Sequence, residues 1–449
     1  MFDISQRGST VGREILGGIT TFMAMSYIIF VQYGLLSGAE MDPRGVMIAT
    51  CVASAAACFL MAWLANYPIA LAPGMGENFF FVTIAATMGA WPVVGVMGWH
   101  MALGLTVLAG AFFLVVSVFG LRAKVLSAIP DALKSGISAG IGLLIARVGF
   151  DWANFGEALA PTELGGFARH PEAWVALIGL AVTLGLLAFR IRGAILIGIL
   201  VTTGIAVVAG RAQWQNPVGW PEGLYTTAGG FYVGLEGLWS ALPRYWLDIL
   251  TMGFILLFMD LFDTVGTLVG VSKRAGLMRD GSLPRAEGAL AADAAGTIIG
   301  GCLGTSTVTS YIESITGVTA GARTGLAAVV TGVCLLGAVF FQPLAETVTG
   351  AFGGNQLFPT LSPALIIVGA MMLRTVRDLD WDDVTEYLPA FLTIITMPLT
   401  HSISAGIAIG FAAYAIAKLL RGRPRECPVL VYVFSLLFAA QYVLSSLRG

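Results

Sequence analysis

Apolar stretches of helix length recur from residue 15 to residue 446, and no interval between them could hold a soluble domain of ordinary size. About 20 apolar residues suffice to cross the hydrocarbon core of a bilayer. Of 449 residues, 57% are hydrophobic and only 11% charged, whereas a soluble chain carries about 25% charge. That little charge cannot cover a surface in water, so the solvent must be lipid. The expected fold class is an all-α polytopic membrane protein.

The opening "MFDISQRGSTVGRE" is polar and does not read as a signal peptide. Cys51, Cys58, Cys302, Cys334 and Cys427 form no C-x-x-C pair and read as small packing residues. A net charge of −2 offers nucleic acid no footprint. With no Walker A loop, no H-E-x-x-H and no His/Cys cluster at ligand spacing, no metal or cofactor is expected.

Membrane segments are predicted at 15–37, 44–66, 68–88, 92–120, 126–149, 172–190 and 193–210. A second set follows at 246–271, 284–302, 304–320, 324–343, 360–375, 387–400 and 402–420. Residues 1–14 form a cytoplasmic N-terminus and 211–245 an extracellular linker. Residues 421–449 are a tail whose apolar stretch 428–446 either crosses or lies at the interface. Loop charges support this orientation. Arg122, Lys124, Arg190, Arg192, Lys273, Arg274, Arg279, Arg285 and Arg323 fall inside, while the outer loop 150–171 carries Asp151, Glu157 and Glu163.

The two sets resemble each other. "IRGAILIG" (191–198) and "ISAGIAIG" (403–410) match at four of eight positions. The third segment of each is broken: "NYPIALAPGMGENFFF" by proline and glycine, "GGCLGTSTVTSYIES" by glycines before a β-branched, hydroxyl-rich run. Seven is odd, so the second copy must enter from the opposite side. Inverted repeats with corresponding broken helices point to a secondary transporter whose site lies near the midplane.

Irregular backbone at membrane depth is tolerated only where protein buries it or a cavity borders it. Glu77 and Asn78 follow the first break and Glu313 the second. Two half-helix N-termini facing one polar centre could bind polar groups there; the plainer reading is that these residues only cap the half-helices. Asp260 and Asp263 sit inside the apolar run "GFILLFMDLFDTVGTLVG". Each would cost roughly 2.5–3.5 kcal/mol at the centre of a bilayer helix. Three residues apart on a helix, both carboxylates can face one cavity. Desolvation disfavours the charged form of a carboxylate, so such groups suit proton binding and release. Proton coupling is accordingly assigned to Asp260, Asp263 and Glu313. Substrate contact is assigned to Asn78, Asp263, Glu313 and Glu77, with Phe79 and Tyr27 as candidates to stack on a flat ligand. His100 and His401 read as packing histidines, and Lys134 as a partner of Asp131.

Taken together, "GGITTFMAMSYIIFV", "ANYPIALAPGMG", "DLFDTVGTLVGV", "GTSTVTSYIES" and "RTGLAAVVTG" resemble the AzgA-like branch of the nucleobase:cation symporter-2 family, permeases for hypoxanthine, guanine and adenine. The resemblance covers about residues 12–446. It implies fourteen segments in two inverted repeats, and core and gate domains that interleave them. A short strand and half-helix would occupy the third and tenth segments. It also implies proton coupling, placement in the cell membrane and assembly as a homodimer. Family substrate and coupling positions fall on Asn78, Asp260, Asp263 and Glu313. One departure stands out: "GMGENFFF" replaces the family's "GMGLNAFF", placing Glu77 for an apolar residue and Phe79 for a small one.

The expected function is proton-coupled uptake of a purine nucleobase by alternating access, without enzyme activity. Glu77 raises a second reading, the same transporter carrying an amino-rich or cationic heterocycle. From other classes, an ion channel would be expected to show repeated pore motifs, and an intramembrane hydrolase a nucleophile–base pair; neither is evident.

Overall fold

In a computed structural model, residues 2–118, 129–159, 169–278, 283–350 and 357–448 are described. Arg122, Lys124, Glu163 and Arg279, used above in the loop-charge argument, lie outside them. Among the described residues, eight helices are long and apolar enough to cross a membrane. They include Pro43–Leu64, Gly98–Ser117, Asp131–Trp152 and Ile403–Leu420. Other predicted segments are shorter, such as Ala194–Val208, or interrupted. The chain is an all-α polytopic membrane protein with inverted repeats and broken third and tenth segments.

The eighth predicted segment differs in extent. Its helix runs Gly230–Ala275, starting well inside the stretch read as linker, and bends where Tyr245 leaves helical geometry (φ −120°, ψ 20°) beside Pro243. A proline inside a helix removes one backbone donor and clashes with the preceding turn. The bend follows from that, and the predicted start at residue 246 marks the kink. Helix Val429–Arg448 covers the last apolar stretch, and Gln441 on it donates to Asp248 of the long helix at 3.0 Å.

Helices associate in two groups. Val11–Met25, Pro43–Leu64, Gly98–Val118, Gly230–Ala275, Ala286–Leu303 and Gly325–Ala338 pack together; Asp131–Trp152, Pro171–Ala188, Ala194–Val208, Ser362–Met372, Val384–Thr400 and Ile403–Leu420 form the other group. Lipid offers no hydrophobic gain for helix association, so close approach at small residues must supply it. A Cβ at Gly142 would come within 2.7 Å of the Gly369 carbonyl oxygen, so those two backbones are in near contact.

Both broken segments lie with the first group. Leu71–Pro73 (β1) and Val308–Ser310 (β2) pair antiparallel, Leu71 opposite Ser310 and Pro73 opposite Val308. Half-helices Met75–Gly89 and Ser314–Thr319 follow them. Antiparallel pairing of equivalent strands is the arrangement expected of copies entering from opposite faces. Two strands leave outward-facing groups that lipid cannot satisfy, and side chains meet them. Leu71 N–H donates to Cys58 Sγ at 3.2 Å and Ala70 N–H to Ser314 Oγ at 3.0 Å. Thr297 Oγ1 accepts from Val308 N–H at 3.2 Å and lies 3.1 Å from the Val308 carbonyl oxygen and 3.0 Å from Asp260 Oδ2.

Thr297→Val would keep the shape and delete that hydroxyl. Each buried group left unpaired costs about 1–3 kcal/mol. The expected result is a lower thermal midpoint for the purified protein in detergent, with Thr297→Ser close to wild type; equal midpoints for all three would refute the role given to the hydroxyl.

Candidate substrate site

The half-helix starts are dictated locally. Pro73 has no N–H to continue a ladder, and Gly74 takes the extended N-cap position (φ −71°, ψ 138°) before Met75. On the other repeat, Gly304 (φ 102°) ends helix Ala286–Leu303 in a left-handed conformation favoured by glycine. The chain then enters β2 through Thr305, Ser306 and Thr307, all buried.

Between the two half-helix starts lies a cavity of about 90 Å³. Gly74–Gly76 border it on one side, Ser310–Glu313 on another, with Asp263 and Thr267 from the long helix and Tyr27 from helix Tyr27–Ser37. Val368 and Met372, from helix Ser362–Met372 of the second group, form an apolar wall. The cavity thus sits on the seam between the helix groups. Drug-sized sites measure roughly 300–1,000 Å³, so its occupant is small.

The structure brings three predicted residues to this cavity: Asp263, Glu313 and Tyr27. Asp263 is exposed and Glu313 half-buried, whereas Tyr27 is buried and donates its hydroxyl to Glu313 Oε1 at 2.8 Å. Tyr27 therefore orients a carboxylate. The other four predicted residues do not line the space. Asn78 is buried in the first half-helix, accepting from Ser306 Oγ through Oδ1, while its Nδ2 has no partner. Glu77 is buried at the third position of that half-helix, its carboxylate against Gly74, where an added Cβ would collide with it. This is the position from which a capping-box acid reaches back to its N-cap. Phe79 borders a second cavity of about 240 Å³ with Trp152, Phe358 and His401. The reading that Glu77 selects a cationic cargo draws no support from this placement.

Asp260 is 2% exposed and faces Asp293, which is 0% exposed, on the neighbouring helix. Asp260 Oδ1 and Asp293 Oδ2 lack a donor, while Thr297 serves the remaining oxygen of Asp260 and Ser310 that of Asp293 at 3.1 Å. Sequence reasoning overlooks Asp293, although it stands mid-segment in "GALAADAAGTIIGG", the same signal that singled out Asp260. It also overlooks Gln32, whose Nε2 donates to Thr305 Oγ1 at 3.0 Å and Ser306 Oγ at 3.1 Å, and Tyr311, whose hydroxyl donates to the Pro73 carbonyl at 2.6 Å. Lys134 does pair with Asp131, at 2.8 Å. Among the described residues, no group of three or more His, Cys, Asp or Glu side chains could hold a metal ion.

With this geometry in hand, comparison with known proteins is informative. The sequence matches the permease family over residues 12–409. It is 40% identical to the putative permease MJ0326 of Methanocaldococcus jannaschii, covering 98% of this chain and 97% of that one. It is 39% identical to the guanine/hypoxanthine permease PbuG of Bacillus subtilis, over 98% of each. In fold it is similar to the transmembrane domain of a cyanobacterial bicarbonate transporter, BicA, with TM-score 0.62 and 14% identity over 88% of this chain and 97% of that one.

Tyr27→Phe removes one donor from Glu313 and nothing else. A net hydrogen bond contributes about 1 kcal/mol, so ligand affinity measured on the purified protein is expected to fall roughly fivefold. Unchanged affinity would leave Tyr27 without a part in the site.

Proposed function

Because this chain belongs to the permease family, in the nucleobase permease branch its motifs resemble, we propose that it takes up a purine nucleobase by proton symport through alternating access. The observation that carries this reading is two carboxylates, Asp263 and Glu313, opposite an apolar wall in one small cavity on the seam between two helix groups. A purine has a matching chemistry: N–H donors on its edge and flat apolar faces. Asp263 and Glu313 would accept from ring or exocyclic N–H groups, while the ring faces rest against Val368 and Met372. A base lacking matching donors would leave a carboxylate desolvated and unpaired, which disfavours its binding.

Proton exchange falls to the same two residues, since both border the cavity. Asp260 and Asp293 then form an inner carboxyl pair that a single shared proton would satisfy, next to β2 but away from the substrate path. Asn78 positions the strand pair through Ser306 rather than touching the ring. The group carrying both broken segments is the core and the other group the gate, and their relative motion would expose the cavity to each side in turn. The protein would reside in the cell membrane with its N-terminus in the cytoplasm.

Uptake of labelled hypoxanthine, guanine and adenine into cells lacking their own purine permeases tests this. Asp263→Asn and Glu313→Gln are each expected to reduce uptake roughly tenfold to hundredfold, the scale of one hydrogen bond to a charged group. A protonophore should abolish accumulation. Full uptake in both variants would remove these carboxylates from the mechanism, and accumulation insensitive to the protonophore would remove the proton.

A further inference from the structure

Half-helix Met75–Gly89 touches both cavities on the seam. Gly74, Met75 and Gly76 at its start border the substrate cavity, while Phe79, Val82 and Thr83 border the larger one of about 240 Å³. Helix Tyr27–Ser37 is shared in the same way, with Tyr27 in the first cavity and Gly34 in the second. Gly76 to Thr83 and Tyr27 to Gly34 are each seven positions, close to two helical turns or roughly 10 Å. The two spaces therefore lie in file along one pair of helix faces. From the second group, Leu144, Val148 and Trp152 border the larger cavity at four-residue spacing, as one stripe of helix Asp131–Trp152. Ile141 lies one turn before Leu144, and an added Cβ at Gly76 would meet its side chain at 3.0 Å. Ile141 packed on Gly76 is the partition between the cavities.

On one side of the partition, exposed Asp263 and Ile312 open the substrate cavity to solvent. On the other side, the larger cavity lies at the far end of the span Val11–Ser37, where Gly38 and His401 are exposed. A substrate path through the seam has to continue to that end, and this cavity is the space in line with it. Its walls are flat and aromatic. Phe79 comes from the group carrying the broken segments; Trp152 and Phe358 face it from the other side of the seam, edge to face with ring centroids 4.7 Å apart. The hydroxyls of Ser37 and Thr83 are turned into their own helices, donating to the Gly34 carbonyl at 2.6 Å and the Phe79 carbonyl at 3.0 Å. His401 brings a polar edge to the rim. Its backbone is left-handed (φ 53°) where helix Val384–Thr400 ends, its side chain is 51% exposed, and its Nε2 lies 3.8 Å from the Asp151 carboxylate. An imidazole can both donate and accept.

We propose that the larger cavity is a second binding site for the transported base, a station where the ring lies against Phe79, Trp152 and Phe358 with His401 at its edge. This inference rests on the purine reading above and adds residues to it. On the orientation proposed there, the station faces outward. Stacking on aromatic faces holds any planar base, whereas the carboxylates beyond the partition demand matching N–H groups. The outer station therefore captures and the inner cavity selects, with Ile141 between them. Since Phe79 belongs to one helix group and Trp152 and Phe358 to the other, a ring at the station bridges the two bodies whose motion would lift Ile141 from Gly76. The inner site is the tighter of the two, because hydrogen bonds to a carboxylate are stronger than neutral contacts.

The test is equilibrium binding of labelled hypoxanthine to the full chain in lipid nanodiscs, counted per chain. Wild type is expected to bind two molecules in a tighter and a weaker class, and Glu313→Gln to lose affinity in the tighter class alone. Phe79→Leu keeps an apolar side chain but removes the flat face, and should weaken the weaker class about threefold to tenfold. His401→Ala, which removes one polar partner, should weaken the same class about fivefold. One molecule per chain, or a weaker class that either variant leaves at wild-type affinity, overturns the outer station and leaves the purine reading in place. No binding of hypoxanthine, guanine or adenine to wild type overturns both. His401 is exposed, so its variant remains decisive even if Phe79→Leu folds poorly.

Discussion

Everything in this protein's centre depends on satisfying backbone groups where no water can reach them. An unbroken helix does so within itself, but a broken one must find partners elsewhere. Here the two breaks find one another, and β1 with β2 forms the shortest sheet that can take up the exposed edges. The outer edges are then met by Cys58, Ser314 and Thr297 from surrounding helices. Those three side chains fix where the strands sit, and the strands fix where the half-helices begin. The substrate cavity is the space left between those beginnings. Its position is a consequence of hydrogen-bond accounting rather than of any single substrate-binding residue.

The buried acids divide by the same logic. Asp260 and Asp293 lie behind the strands and share hydroxyl donors that also serve the backbone: Thr297 bonds both Asp260 and Val308, and Ser310 belongs to β2 itself. Their cost in a low-dielectric interior is offset by that sharing, which makes them part of the strand scaffold. Asp263, one turn on from Asp260, instead opens to the cavity together with Glu313. Spacing of three residues on one helix therefore separates a structural carboxyl from a functional one.

Much of this was legible in the sequence because its causes are local. Apolar length gave the segments, and the proline and glycine clusters gave both breaks to within a few residues of β1 and β2. Asp263, Glu313 and Tyr27 meet because each flanks a break or faces it at helical spacing. What the sequence hid is tertiary. Asn78 and Glu77 are neighbours of Met75 along the chain, yet helical rotation turns both away from the cavity that Met75 borders. Phe79 turns further, onto a different cavity. Helix Gly230–Ala275 hid its true start because Pro243 breaks the apolar pattern without ending the helix.

The distribution of polar bonds also bears on how the proposed motion could occur. Within the group carrying the strands, polar links are many and mutually supporting: Gln32 with Thr305 and Ser306, Thr50 with Thr305, Thr264 with Thr309. Along the seam the contacts are of another kind. The second group presents Val368 and Met372 to the substrate cavity, and Leu144, Val148 and Trp152 to the cavity bordered by Phe79. Apolar contacts have no direction to lose when one surface slides past another, whereas each hydrogen bond must be broken and remade. A group held rigid by directional bonds, set against a seam of non-directional ones, can move as a body. The wall residues then do two jobs with one property: their lack of polarity suits the face of a flat ring and lets the seam shift around it.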